Sequence, residues 1–181
     1  MLAPKLITPL SAQELINRSD QLILSSVDEE TLYLVDIYDF QYSVTLPNAE
    51  YFSIYIGGRC PRLDNWSILP NNSLIGYMYN HKHIPDGNMV ITRETNIHQH
   101  VFADTPNSAL FLGQKSGDQL QISEYAVIRS FDISPIRNNK NSLPHSFAVF
   151  GVDYNGNQIQ VGVFKNLQRA MDFIQLTRSL L

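Results

Sequence analysis

Four of the five histidines fall in two His-x-His pairs, His81-Lys82-His83 and His98-Gln99-His100. On a β-strand, residues i and i+2 share one face about 7 Å apart, so either pair could offer two imidazole nitrogens to one divalent transition metal. His81 and His83 are the first candidates, His98 and His100 the second, and a tight turn at Pro85-Asp86-Gly87-Asn88 lies between the pairs. If Asp86-Gly87 centres a plain hairpin, His98 faces residue 75. Residue 75 is six positions from His81, or roughly 20 Å along a strand. The two pairs would then serve separate sites, and each would lack the third protein ligand that a bound metal needs. Histidines making ordinary hydrogen bonds at turns account for the same spacing.

Cys60 is the single cysteine, set in Gly57-Gly58-Arg59-Cys60-Pro61-Arg62. Flanking arginines lower a thiol pKa and favour a reactive thiolate, but a nucleophile also needs a base, and no cysteine-hydrolase signature surrounds this one. A half-buried structural cysteine in a loop is the simpler reading. Asp36, Asp39 and Glu50 could be taken for cooperating carboxylates, yet on a continuous strand Asp36 and Asp39 point to opposite faces. The chain contains no phosphate-cradling glycine loop, nucleophile elbow, CxxC, HExxH or dinucleotide fingerprint. These features together weigh against an enzyme.

The elements that must position these residues are mostly strands. Ser11-Ala12-Gln13-Glu14 reads as a capping box opening a short helix that Asn17 to Asp20 close. Residues 22–27, 32–46, 51–56, 74–84, 89–93, 96–102, 109–114 and 119–123 read as strands, rich in aromatic and β-branched residues and separated by Gly, Pro, Asn and Asp. Residues 147–152 and 159–164 flank Asn155-Gly156, the favoured core of a two-residue type I′ turn. That turn places Ile159 opposite Val152, Val161 opposite Phe150 and Val163 opposite Ala148. Asn166 then caps a helix whose Leu167, Ala170, Met171 and Ile174 recur at i, i+3, i+4 and i+7. The expected fold is mainly β (α+β): antiparallel sheets or a partly open barrel, with a short N-terminal helix and a C-terminal amphipathic helix packed on the sheet. Residues 1–181 read as one compact unit, with a possible subdivision into a β-rich region 1–105 and a C-terminal sheet plus helix 106–181.

Charge narrows the choice of partners. Residues 1–55 carry two basic and eight acidic side chains, whereas residues 129–181 carry six basic and three acidic. A polarised chain of this kind suits docking to a protein partner or to a second copy. No cluster of Lys and Arg marks a nucleic-acid footprint. There is no apolar run of transmembrane length and no basic-then-apolar leader, so the sequence reads as soluble and cytoplasmic. Tyr33, Tyr38, Tyr42, Tyr51 and Tyr55 supply contact material, since tyrosine buries area at low entropy cost. The function expected from the sequence is that of a non-catalytic binding or adaptor protein that needs no cofactor.

Two resemblances accompany this reading. A strand at 109–112, a strand at 127–133, a polar loop, the hairpin closed by Asn155-Gly156 and Val161-Gly162-Val163-Phe164 entering a terminal helix resemble the C-terminal part of bacterial pleckstrin-homology-like domains. The resemblance spans residues 109–181 and implies a bent antiparallel sheet plugged by a helix, which is a scaffold and not an activity. Phosphoinositide-binding members use a basic loop between early strands; the matching loop here offers only Lys115, so lipid binding is not implied. Gly76, His81, His83 and Gly87 are superficially similar to the motif of cupin metalloenzymes, which implies a metal-dependent alternative. Here Asp86 stands nearest the acidic position and the glycine spacing departs from that motif.

Overall fold

A computed structural model describes residues 6–18, 20–46, 49–50, 61–98, 102–105 and 108–180. Its elements are β1 (Ile7–Pro9), α1 (Ala12–Arg18), β2 (Leu22–Asp28), β3 (Thr31–Asp36), β4 (Gln41–Thr45), β5 (Arg62–Ile68), β6 (Ser73–Tyr79) and β7 (Asn88–Glu94). There follow β8 (Asn96–His98), β9 (Phe102–Thr105), β10 (Ser108–Leu112), β11 (Gln119–Leu120), β12 (Ile128–Ile136), β13 (Ser146–Asp153), β14 (Gln158–Phe164) and α2 (Leu167–Ser179). The fold is mainly β, as the sequence implies; among the described residues α1 and α2 are the helices assigned above, and no sheet closes into a barrel. The chain divides into two compact units, one of Met1–Leu63, Met78–Asp86 and Asn96–Gly113, the other of Asp64–Tyr77, Gly87–Thr95 and Gln114–Leu181.

In the first unit the sheet order is β1-β4-β3-β2, with β1 parallel to β4 and the other pairs antiparallel. The capping box forms: Ser11 N donates to Glu14 Oε2 at 2.7 Å, and Glu14 N donates to Ser11 Oγ at 3.2 Å. A helix of seven residues is too short to stand alone. Burial holds it in place, with Leu15 fully enclosed in a core that includes Leu22, Leu32, Leu34, Val44, Phe102 and Phe111. Each such side chain contributes about 1.5–3 kcal/mol by leaving water. The strands β8, β9 and β10 form an antiparallel meander, and β10 runs parallel to the start of β5 through Phe111↔Arg62 and Leu112↔Leu63.

In the second unit β11-β14-β13-β12 form an antiparallel sheet that α2 covers. Asn166 caps α2, its side chain accepting from Arg169 N at 2.9 Å. The buried stripe is Ala170, Phe173, Ile174 and Thr177, whereas Leu167 and Met171 are 44% and 50% exposed. The helix is therefore rotated from the expected stripe. Phe173, which the i, i+3, i+4 pattern from Leu167 passes over, takes the centre and meets the rings of Tyr125, Phe131 and Phe164.

The β13–β14 hairpin exists, but its turn is not type I′. Only Gly156 has positive φ, at 85°. Asp153 N donates to Asn157 O, and the Asp153 carboxylate accepts from Asn155 N and Asn157 N, so three residues make the loop. Asp153 thus selects a type I turn followed by a left-handed glycine. A bulge between Val149 and Phe150 shifts the register again, pairing Ile159 with Gly151 while restoring Val163 opposite Ala148. The core face consequently carries Phe147, Val149, Val161 and Phe164 with Phe131 and Ile133, of which the expected face included only Val161.

Candidate functional site

Residues 32–46 do not form one strand. The chain turns between Asp36 and Gln41, and the turn sets Ile37, Tyr38 and Phe40 in solvent at 78%, 74% and 63% exposure. Tips of this kind usually carry Gly, Asn, Asp or Ser. Three large apolar side chains here forgo the burial that would stabilise each by about 1.5–3 kcal/mol. The tip is nevertheless well fixed. Asp36 Oδ1 accepts from Tyr38 N at 2.9 Å and Phe40 N at 3.1 Å, and Oδ2 accepts from the Tyr42 hydroxyl at 2.9 Å. Asp36 N donates to Phe40 O, and Asp39 N donates to Asp36 O, with Asp39 left-handed at φ 61°. Arg18 reaches from α1 to Asp36 Oδ2 at 3.9 Å, and its guanidinium lies 4.6 Å from the centre of the Tyr42 ring. Desolvation pushes the Asp36 carboxyl upward. The hydrogen bonds from Tyr38, Tyr42 and Phe40, together with the Arg18 charge, outweigh it and hold the pKa below the usual carboxylate range. Ile23, 57% exposed, pairs with Val35 one strand away.

Asp36 and Asp39 are therefore turn-forming groups and not a carboxylate pair facing a substrate. Of the five tyrosines, Tyr38 is offered to solvent and Tyr42 is a strut. Tyr33 lines a cavity of about 270 Å³ with Ile7, Ser25, Gln41 and Tyr42. Tyr51 and Tyr55 lie outside the described residues, as do Cys60 and His100.

The strand expected to carry His81 and His83 ends at Tyr79. Asn80 turns left-handed, φ 59°, and its N–H donates to Asp86 Oδ1 at 2.7 Å, so both histidines sit in the loop before β7. They do not share a strand face. His83 N donates to His81 Nδ1 at 3.1 Å, and the ring centres are 6.1 Å apart, edge to face. His98 lies on β8, with Nε2 2.6 Å from Asp104 Oδ1 and its ring stacked on Phe102 at 5.2 Å. Among the described residues no three His, Cys, Asp or Glu side chains gather as a metal site.

In the second unit, polar side chains that sequence reasoning missed come together. Arg169, 95% buried, donates from Nε to Asp118 Oδ2 at 2.6 Å, and Asp118 Oδ1 accepts from Lys165 N at 2.9 Å. The guanidinium lies 5.2 Å from the Tyr77 ring centre, and its Nη1 has no hydrogen-bond partner. The Tyr77 hydroxyl donates to Asp172 Oδ2 at 2.6 Å; burial, then the bond to and charge of Asp172, raise its pKa. These contacts join positions 51 and 95 residues apart, which no local pattern encodes.

No family model, curated protein or solved structure matches the chain. Among the described residues, no helix is long and apolar enough to cross a membrane.

Proposed function

We propose that the chain is a non-catalytic protein-contact module whose β3–β4 tip engages a protein partner or a second copy. The observation that carries this reading is the fixed apolar tip. These side chains are exposed unfavourably, and the amides of Asp36, Tyr38, Asp39 and Phe40 are already hydrogen-bonded, so docking orders side-chain rotamers more than backbone. Isoleucine and aromatic groups of this size suit an apolar cleft, and the exposed Asp39 beside them favours a basic rim on the partner. The reading requires no cofactor. The resemblance to pleckstrin-homology-like domains fits beside it, because a sheet with a terminal helix is a scaffold that takes its role from surface side chains.

The test compares the wild-type chain with the triple variant Ile37→Ser, Tyr38→Ser, Phe40→Ser. Sedimentation velocity across a concentration series reads self-association, and quantified affinity capture reads other partners. The expected result is an association that the wild type makes and the triple variant loses, with unchanged far-UV circular dichroism. Retention of every association by the triple variant, or a strictly monomeric wild type with no partner, would overturn the proposal.

A further inference from the structure

We infer that the cavity between the start of β7 and the C-terminal half of α2 binds an alkylammonium group. The cavity holds about 310 Å³ and is lined by Tyr77, Met89, Asp172, Gln175, Leu176 and Ser179, with Gly87 and Asn88 at its edge. Three features independent of the tip give it negative potential. Among the described residues, the Asp172 carboxylate accepts from neutral donors alone, the Tyr77 hydroxyl at 2.6 Å and Gln168 Nε2 at 2.8 Å. The nearby cation, Arg169, is committed to Asp118, so Asp118, Arg169 and Asp172 together leave one net negative charge. Gln175, Leu176 and Ser179 belong to the last turns of α2, near the negative end of the helix dipole. Arg178, the basic residue of that last turn, is exposed and does not line the cavity.

The walls also fix the shape of the guest. Met89 and Leu176 supply apolar surface for a short aliphatic stem, and Asp172 supplies the charged end. A bare metal ion would find one carboxylate already hydrogen-bonded at both oxygens, too few free ligands for a hard cation. An alkylammonium needs one charged acceptor and a slot for methylenes. It can arrive as a free amine or as a lysyl side chain on another protein, and the chemistry at Asp172 is the same.

Amide chemical-shift titration of the full chain tests this with n-butylammonium chloride, n-butanol and the peptide acetyl-Gly-Lys-Gly-amide. Butylammonium is expected to saturate with Kd on the order of 1 mM, moving amides at Tyr77, Gly87 to Met89 and Asp172 to Ser179, with butanol at least about tenfold weaker. Asp172→Asn should weaken butylammonium at least about tenfold. Gln175→Lys, an exposed position that tethers an ammonium in the cavity, should abolish binding while leaving the fold and Asp172 intact. Peptide binding tighter than butylammonium assigns a protein lysine, and equal or weaker binding assigns a free amine. Equal binding of butanol and butylammonium, full binding by Gln175→Lys, or no shift with either ammonium probe would overturn the inference.

Discussion

Removing one charge from the Arg169–Asp118 pair should cost far more than removing both. The side chains of Arg169 and Asp118 are 6% and 0% exposed, so each charge depends on the other and not on water. Breaking a buried pair from one side costs roughly 3–5 kcal/mol, because the remaining ion is stranded. Asp118→Asn keeps the shape and an acceptor for the Lys165 amide, which places it near the lower end, about 3 kcal/mol. Arg169→Met keeps an aliphatic stem but also loses the contact with the Tyr77 ring, worth about 0.5–1 kcal/mol more, for a total near 4 kcal/mol. The double variant leaves no stranded charge and removes the unpartnered Nη1, so its cost should fall to about 2 kcal/mol or less. Urea denaturation at pH 7, followed through the buried Trp66 in the same unit, measures all four proteins. Two outcomes refute the reasoning: either single variant costing less than about 1 kcal/mol, or single costs that add in the double within about 0.5 kcal/mol.

The hairpin loop gives a second test. Gly156→Ala should cost about 1–2 kcal/mol from backbone strain alone, since φ is 85° and an added Cβ meets nothing within 4 Å. Asn155→Ala should stay within about 0.5 kcal/mol, because its φ is negative and its N–H bond to Asp153 survives. Equal costs at both positions would restore a type I′ turn. The pH dependence of the tip is a third test. The Asp36 pKa is lowered in the folded chain, so its stabilisation is fully present above the ordinary carboxylate pKa of about 4 and disappears as pH falls through the lowered value. The stability gap between wild type and Asp36→Ala should be widest above about pH 5 and close towards pH 2; a gap that widens in acid contradicts the assigned bonds.

What the sequence revealed divides by range. Ser11 with Glu14, and Asn166 three residues before Arg169, are local hydrogen-bond patterns, and both caps form. The β13–β14 hairpin is local too, and its two strands and Asn-Gly pair were legible. Its face was not, because a strand has period two, and one bulged residue exchanges inside for outside. The Asp153 side chain was a readable signal for the three-residue loop, being an acid placed to accept from amides two and four residues on. The same signal stood at Asp36, whose carboxylate caps the amides of Tyr38 and Phe40. Across residues 32–46 the aromatic and β-branched density of β3 and β4 masks this turn chemistry.

The two candidate surfaces differ in how they could be found at all. The tip is built from neighbours in sequence: an aspartate closes a turn and leaves Ile37, Tyr38 and Phe40 in the exposed positions. The α2 cavity is non-local, since Tyr77 and Asp172 are 95 residues apart and meet only when their unit has folded. Its charge balance depends on Arg169 being taken by Asp118, and that partnership is invisible until both are buried. Counted along the chain, residues 129–181 are net basic, with six basic and three acidic side chains. Folding nevertheless consumes Arg169 internally and leaves Asp172 at the cavity wall without a cationic partner among the described residues. A segment whose composition suggests attraction for acidic partners thus builds a pocket of the opposite preference. Burial, more than charge counts, decides which side chains reach a ligand.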